Sequence, residues 1–339
     1  MRRPRYPGKN PRAFHLKYKE LQPERYGDDV QKVLQAGKTP AGMHRAIMVD
    51  EILRVLAPQP GEVAVDCTLG FGGHARALLE RLRPGGRLIG LDVDPLELPR
   101  TEVRLRAAGF GDDEFQARRT NFAGLAQVLA HERLPGVDLL CADLGVSSMQ
   151  LDNPDRGFTF KAPAPLDMRM NPSRGEPASA LLARLDAPSL AALLVKYADE
   201  PHADAIARRV AGQGLTTTSA LADDVRQAVV EARPHAWEDA ADRSVRRVFQ
   251  AIRIAVNDEL SALDALLRTL PLCLSPGGRV AILTFHSGED GRVKKAFHMG
   301  VRDGAYALVS DDVVRASASE VRANPRAASA KLRWAVRAR

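Results

Sequence analysis

Between residues 63 and 144 the chain alternates short apolar runs with stretches of helical spacing, and this alternation constrains the fold more than any other feature of the sequence. The runs at 63–67, 87–92, 115–118 and 137–144 are too continuously apolar for a sheet with one wet face, and they fit strands covered on both sides. Between them, 74–82, 95–108 and 122–132 read as helices, the first stopped by Pro84, Gly85 and Gly86. Strand and helix in strict alternation require right-handed crossovers, so the expected architecture is α/β, a doubly wound and mostly parallel sheet.

The flanks divide the rest. The spacing of Ile47, Met48, Ile52, Val55 and Leu56 predicts an opening helix that ends at Pro58. After residue 151 the alternation stops. Residues 178–249 are almost all helix-forming, with helices expected at 181–185, 191–197, 203–210 and 219–231. A long helix over 250–270 and a strand over 279–285 then resume the earlier pattern. The domain reading is a basic extension over 1–42, a core built from 43–151 and 250–339 that ends in a basic tail, and an inserted all-helical subdomain over 152–249 assigned to substrate recognition.

Charge narrows the partners. The net charge is +7, yet 1–38 holds ten Lys and Arg against four Asp and Glu, and 311–339 holds seven against three. The ends therefore carry +6 and +4 and the body about −3. Such ends are either solvated tails or arms for a polyanion, since cationic arms release counterions when they meet phosphates. No apolar run reaches the ~20 residues of a membrane span, and no hydrophobic stretch follows the basic start, so a cytoplasmic location with no membrane partner is expected. Cys67, Cys141 and Cys273 lack the paired spacing of a zinc site; no metal is expected, and buried free thiols are the simple reading.

In open α/β sheets, ligands gather at the carboxyl ends of the strands. Three of those ends carry an aspartate: Asp66, Asp92 and Asp143. After the first comes Gly70-Phe71-Gly72-Gly73-His74-Ala75, where glycines let the backbone turn sharply and approach a ligand. Its spacing also fits the dinucleotide pattern through Gly70, Gly72 and Ala75, so a nicotinamide-dependent oxidoreductase is the first rival. The two cofactors differ in charge. A dinucleotide brings a pyrophosphate to the loop, whereas S-adenosylmethionine brings a sulfonium and an ammonium, which Asp66 and Asp143 would favour. Asp92 would meet a ribose in either case. The strand-end acids thus favour S-adenosylmethionine, while Asp66 could equally hold the loop's own N–H groups.

With those residues in view, the chain resembles the bacterial methyltransferases of the MraW/RsmH group, which methylate the exocyclic N4 of a cytidine in the decoding region of small-subunit ribosomal RNA. The most distinctive stretch runs from Asp143-Leu144-Gly145-Val146-Ser147-Ser148-Met149-Gln150 through Arg156-Gly157-Phe158-Thr159-Phe160 to Pro165-Leu166-Asp167-Met168-Arg169-Met170. The segments at 44–53, 66–75, 91–95, 247–254, 284–287 and 324–333 are similar to further family segments in the same order. The resemblance implies a Rossmann-like class I methyltransferase core and a small ribosomal subunit, or its rRNA, as partner. It also implies that Gly72, Gly73, His74, Asp92, Phe122, Asp143 and Gln150 hold the cofactor, with Asp92 at the ribose, Phe122 near the adenine and Asp143 near the methionine end.

Methyl transfer from a sulfonium is an in-line displacement, so positioning is the main task. Cytosine's amine has its lone pair conjugated into the ring, and an acceptor beside it would help localise that pair. Asp143 is the candidate catalytic acceptor, unless it serves the cofactor alone. Many amino-group methyltransferases place prolines and an aromatic after this residue; Leu144-Gly145-Val146-Ser147 does not. That leaves Phe158, Phe160 or Phe285 to stack on the base, with core packing the alternative for each, and His286 beside them. Gly288 stands where the family usually has leucine. Arg243, Arg246, Arg247, Lys294 and Lys295 would form a phosphate track with the basic ends. A non-catalytic RNA-binding protein with a decayed core is a second rival, against which the intact loop and aspartates count.

Overall fold

The computed structural model describes residues 46–233 and 238–339. The basic extension expected over 1–42 lies outside the described residues. In chain order the core elements are α1 Val49–Leu56, β1 Val63–Asp66, α2 Gly73–Leu82, β2 Arg87–Asp92, α3 Glu97–Ala107, β3 Phe115–Arg119, α4 Leu125–His131 and β4 Val137–Asp143. A short α5, Ser148–Asp152, leads into the inserted region. There α6 Ala178–Arg184, α7 Ala187–Ala198, α8 Ala203–Val210, α9 Thr218–Ala232 and α10 Glu238–Asn257 follow one another. The core resumes with α11 Glu259–Cys273, β5 Leu274–Thr284, α12 Ser287–Arg302, β6 Tyr306–Val309, α13 Ala318–Ala323 and β7 Lys331–Arg337.

The strands form one seven-stranded sheet in the order β3-β2-β1-β4-β5-β7-β6. Every pairing from β3 to β5 is parallel, and β7 runs antiparallel to both its neighbours. The reversal between β1 and β4 is the topological switch point, where an open α/β sheet leaves a crevice beyond its strand ends. The continuous apolar runs have their cause in the layers. Val65, Ile89, Leu140 and Ile282 join α11 and α12 in a core on one face, while Ala64, Leu88, Cys141 and Leu283 pack with α1 and α2 on the other. A third core, from Phe158 to Ile252, is built by the inserted helices themselves. All three cysteines are buried and free. Among the described residues no helix is long and apolar enough to cross a membrane.

Two expectations are corrected. The single helix over 250–270 is two: Asp258 turns left-handed at φ 49°, and α10 and α11 meet there at an angle set by that residue. The expected boundary between 249 and 250 therefore falls inside α10. Second, the stretch read as a basic tail is a strand inside the sheet. Leu332 and Ala335 of β7 are fully buried, and Arg333 is 6% exposed. Its charge is matched by Asp290 of α12, whose Oδ1 accepts from Arg333 Nε at 2.6 Å while Lys331 Nζ stands 3.7 Å from Oδ2. Those ion pairs allow a cation-rich segment to sit between β5 and β6.

Candidate active site

The loop between β1 and α2 turns through Gly70 and Gly72, at φ 48° and 85°. A Cβ on Gly72 would come 2.9 Å from Thr101 Cγ2, so only glycine fits there against α3. Asp92 ties this loop to the second strand end: its Oδ2 accepts from Gly70 N at 2.8 Å and its Oδ1 from Asp94 N at 2.9 Å. The N–H that would greet a pyrophosphate is thus already committed to a carboxylate. Asp66 does what its alternative reading held, accepting from Thr68 N at 3.0 Å within its own turn.

Beyond these strand ends lies a cavity of about 420 Å³. Gly73, His74, Asp92, Phe122, Asp143 and Gln150 all line it, so six of the seven residues expected to hold the cofactor come together; Gly72 shapes the turn from behind. The set is acidic and sparsely paired. Asp143 Oδ1 is enclosed and has no hydrogen-bond partner among the described residues. Burial pushes the Asp143 carboxyl up to about 6, with the charges of Asp66 and Glu289 adding to the rise and His74 opposing it. Burial likewise pushes Asp92 up to about 6 against the two N–H bonds it accepts. Asp66, 1% exposed, is raised by burial and restrained by His74. Glu289 goes the other way: burial would raise it, yet His286, the Phe285 N–H and Arg253 hold it below the usual range.

The remaining expected residues take defined places. Phe122 opens a short 3-10 turn after β3, where Asn121 caps Ala123 N at 2.8 Å. Gln150 closes a capping box on α5, accepting from Ser147 N at 2.9 Å while its own N–H meets Ser147 Oγ at 3.2 Å. Of the three phenylalanines, only Phe285 reaches the cavity. Phe158 is buried in the inserted core, and Phe160 packs edge-on to Phe249 at 5.1 Å. His286 is 12% exposed at its side chain, with Nε2 3.2 Å from Glu289 Oε1. A Cβ on Gly288 would press to 3.2 Å from its Nδ1, so glycine there gives the imidazole room.

Comparison with known proteins decides the family. The chain matches the MraW methylase family over residues 41–338. It is 46% identical over 342 residues to the ribosomal RNA small subunit methyltransferase H 1 of Lachnoclostridium phytofermentans, an alignment covering 99% of this chain and 93% of that protein. This chain belongs to the MraW methylase family. Another relative, the ribosomal RNA small subunit methyltransferase H 2 of Alkaliphilus metalliredigens, is also 46% identical, with 99% of this chain and 97% of that protein covered. Among solved structures, TrmN from Thermus thermophilus is a distant likeness at 14% identity and a TM-score of 0.41, covering 93% of this chain and 52% of that one.

Within this MraW methylase core the structure adds residues that sequence reasoning did not single out. Asp94, 0% exposed, accepts from Gln150 Nε2 at 2.8 Å and from Arg156 Nη1 at 2.7 Å. Arg156 turns its other nitrogen to the carbonyls of Arg169 and Met170, at 3.1 and 2.8 Å. Asn257 holds the same segment from α10, accepting from Met170 N at 2.7 Å and donating to the Met168 carbonyl at 2.8 Å. Arg253 and Glu259 form a two-pronged ion pair at 2.8 and 2.9 Å across the α10–α11 break. Arg326 reaches from the last 3-10 turn to Ser148 and to Asp152 Oδ1, the latter at 3.1 Å, and lines the cavity too. In the sequence, Arg156 and residues 165–170 belong to the most distinctive stretch of the resemblance, but nothing local shows the network.

Proposed function

We propose that this chain methylates the exocyclic N4 amine of a cytidine in the decoding region of small-subunit ribosomal RNA, using S-adenosylmethionine, in the cytoplasm. The observation that carries the reading is the under-paired carboxylate of Asp143 at a strand end inside an acidic cavity. A cation is what such a donor set lacks, and a pyrophosphate is what it would repel. The cofactor fits on these grounds, and the relatives are methyltransferases of small-subunit ribosomal RNA by name.

We assign cofactor binding to Gly73, the main chain of His74, Asp92, Phe122, Asp143 and Gln150, with Gly72 setting the turn. Asp92 holds the ribose with lone pairs left over from its two backbone bonds, and Phe122 offers a ring face to the adenine. When bound, S-adenosylmethionine supplies an electrophilic methyl group on a sulfonium. Asp143 accepts a hydrogen bond from the target amine, which localises the nitrogen lone pair as the new bond forms. Above pH ~6 its carboxylate is ionised and ready to accept. Phe285 stacks on the base, and the Met168–Met170 segment closes the substrate side. The inserted helices recognise the RNA, with exposed Arg243, Arg246, Lys294 and Lys295 meeting phosphates.

The test is to incubate the protein with labelled cofactor and small ribosomal subunits from a strain lacking the enzyme, then digest the RNA and identify the modified nucleoside. N4-methylcytidine is expected. Label on a ring carbon or a ribose hydroxyl would refute the assignment.

A further inference from the structure

We infer that the His74 side chain is a positioning residue that acts through Asp143: it sets the proton affinity of the carboxylate that receives the amine's proton, and leaves the cofactor to the main chain of the loop. The inference rests on the proposed amine methylation. Its ground is the disposition of the ring. His74 is 6% exposed, and its Nε2 stands 2.9 Å from the carbonyl oxygen of Ile47. A carbonyl only accepts, so Nε2 carries the hydrogen, and Nδ1 is the ring nitrogen left to face the site. Nδ1 lies 3.9 Å from Asp143 Oδ2. The ring is therefore committed at one end to the protein and aimed at the other toward the candidate acceptor.

The surroundings favour one added proton on this pair. Asp66 at the end of β1 acts on both His74 and Asp143, and Glu289 of α12 acts on Asp143, so the charges around the pair are mainly negative. Arg253 of α10, which lines the same cavity, is paired with Glu259 and acts on Glu289. As the N–CH3 bond forms, the C–S bond breaks and its electron pair stays on sulfur. The amine's N–H bond breaks in turn, its electrons return to nitrogen, and the proton passes to Asp143. Asp143 ends with one proton that it did not hold before.

The experiment compares the full-length wild type, H74Q and D66N for the pH profile of kcat on unmodified small subunits, and for binding of the demethylated cofactor product by calorimetry. For H74Q, kcat falls roughly tenfold or more while product affinity stays within about threefold. Its acidic limb moves to higher pH, because a group that lowers the Asp143 pKa is gone; D66N moves the limb the other way. An H74Q limb that stays in place, or product affinity that falls in proportion to kcat, overturns the inference. Should H74Q not fold, nitrogen NMR of the wild type and D143N at one pH decides: the His74 Nδ1 resonance moves in D143N if the ring faces that carboxylate, and an unchanged resonance overturns the inference. A wild type that methylates no amine refutes the proposed function, an outcome distinct from either of these.

Discussion

Replacing Arg156 by methionine tests the buried link between the cofactor side of the cavity and the inserted region. Methionine keeps much of the volume but removes the guanidinium from a pair in which Asp94 is 0% and Arg156 7% exposed. Asp94 Oδ2 would then retain only Gln150, at 2.8 Å, while Oδ1 keeps the backbone N–H groups of Leu96 and Glu97 at 2.9 and 3.3 Å. Breaking one side of a buried ion pair costs about 3–5 kcal/mol. The surviving bonds to Asp94 hold the cost toward the lower end, and the two carbonyls that lose a donor add about 1 kcal/mol each. The expected loss of about 3–5 kcal/mol is roughly a 10²- to 10⁴-fold fall in the folding constant. Urea titration followed by circular dichroism measures it. The double mutant R156M/D94N removes both charges, so it should lose less than the sum of the singles by about 2 kcal/mol or more. A single-mutant loss below about 1 kcal/mol, or strict additivity, would show that the pair does not hold the segment.

Three further outcomes are expected. G157A loses about 2 kcal/mol or more in the same titration, because residue 157 sits at φ 73° and a Cβ would press on the Pro165 carbonyl oxygen and come 2.7 Å from Asp167 N; a wild-type midpoint would contradict this. D143N abolishes methylation yet raises the melting temperature of the ligand-free protein near pH ~8 more than near pH ~5: a carboxyl raised to about 6 in the folded state gives stability that is present at low pH and lost as pH rises through that value, and asparagine escapes the loss. Equal shifts at both pH values would sink that reasoning. F285A raises the RNA KM by roughly five- to 150-fold, the worth of one base stack, whereas F160A lowers stability through its lost contact with Phe249 and leaves the KM ratio alone; steady-state kinetics on both variants separates the two roles.

What was legible in the sequence follows from what each feature answers to. Strands β1, β2 and β4 answer to burial on two faces, which leaves continuous apolar runs, and their terminal aspartates were readable for the same reason. Strand β7 answers to Asp290, 43 residues before Arg333, and no local pattern announces that a cation will be neutralised from another helix. The α10–α11 break lacks glycine and proline; Asp258 adopts the left-handed turn that only the folded context requires. Asp92 was read from its spacing as a ribose contact, yet it also anchors Gly70 from 22 residues away, and one carboxylate can do both because it has four lone-pair sites. The phenylalanines show the limit of residue type alone: Phe158, Phe160 and Phe285 are chemically identical, and only the end of β5 delivers one of them to the cavity.

Two acids that line the cavity, Asp143 and Glu289, take opposite characters. Burial acts on both Asp143 and Glu289 in the same direction. Glu289 is opposed by His286, by the Phe285 N–H at 2.9 Å and by the Arg253 charge, and its carboxyl is held low. Asp143 has only His74 against Asp66 and Glu289, and its carboxyl is raised to about 6. Groups pushed apart in this way divide their labour: one remains a fixed anion, and the other exchanges a proton near neutral pH. The fixed charge of Glu289 raises the proton affinity of Asp143, so a cation brought near both would relieve that repulsion. A pyrophosphate would add to that repulsion, and the Gly70 N–H that could have offset it is already given to Asp92. On the proposed mechanism, cofactor choice and proton acceptance come from the same shortage of positive charge at these strand ends.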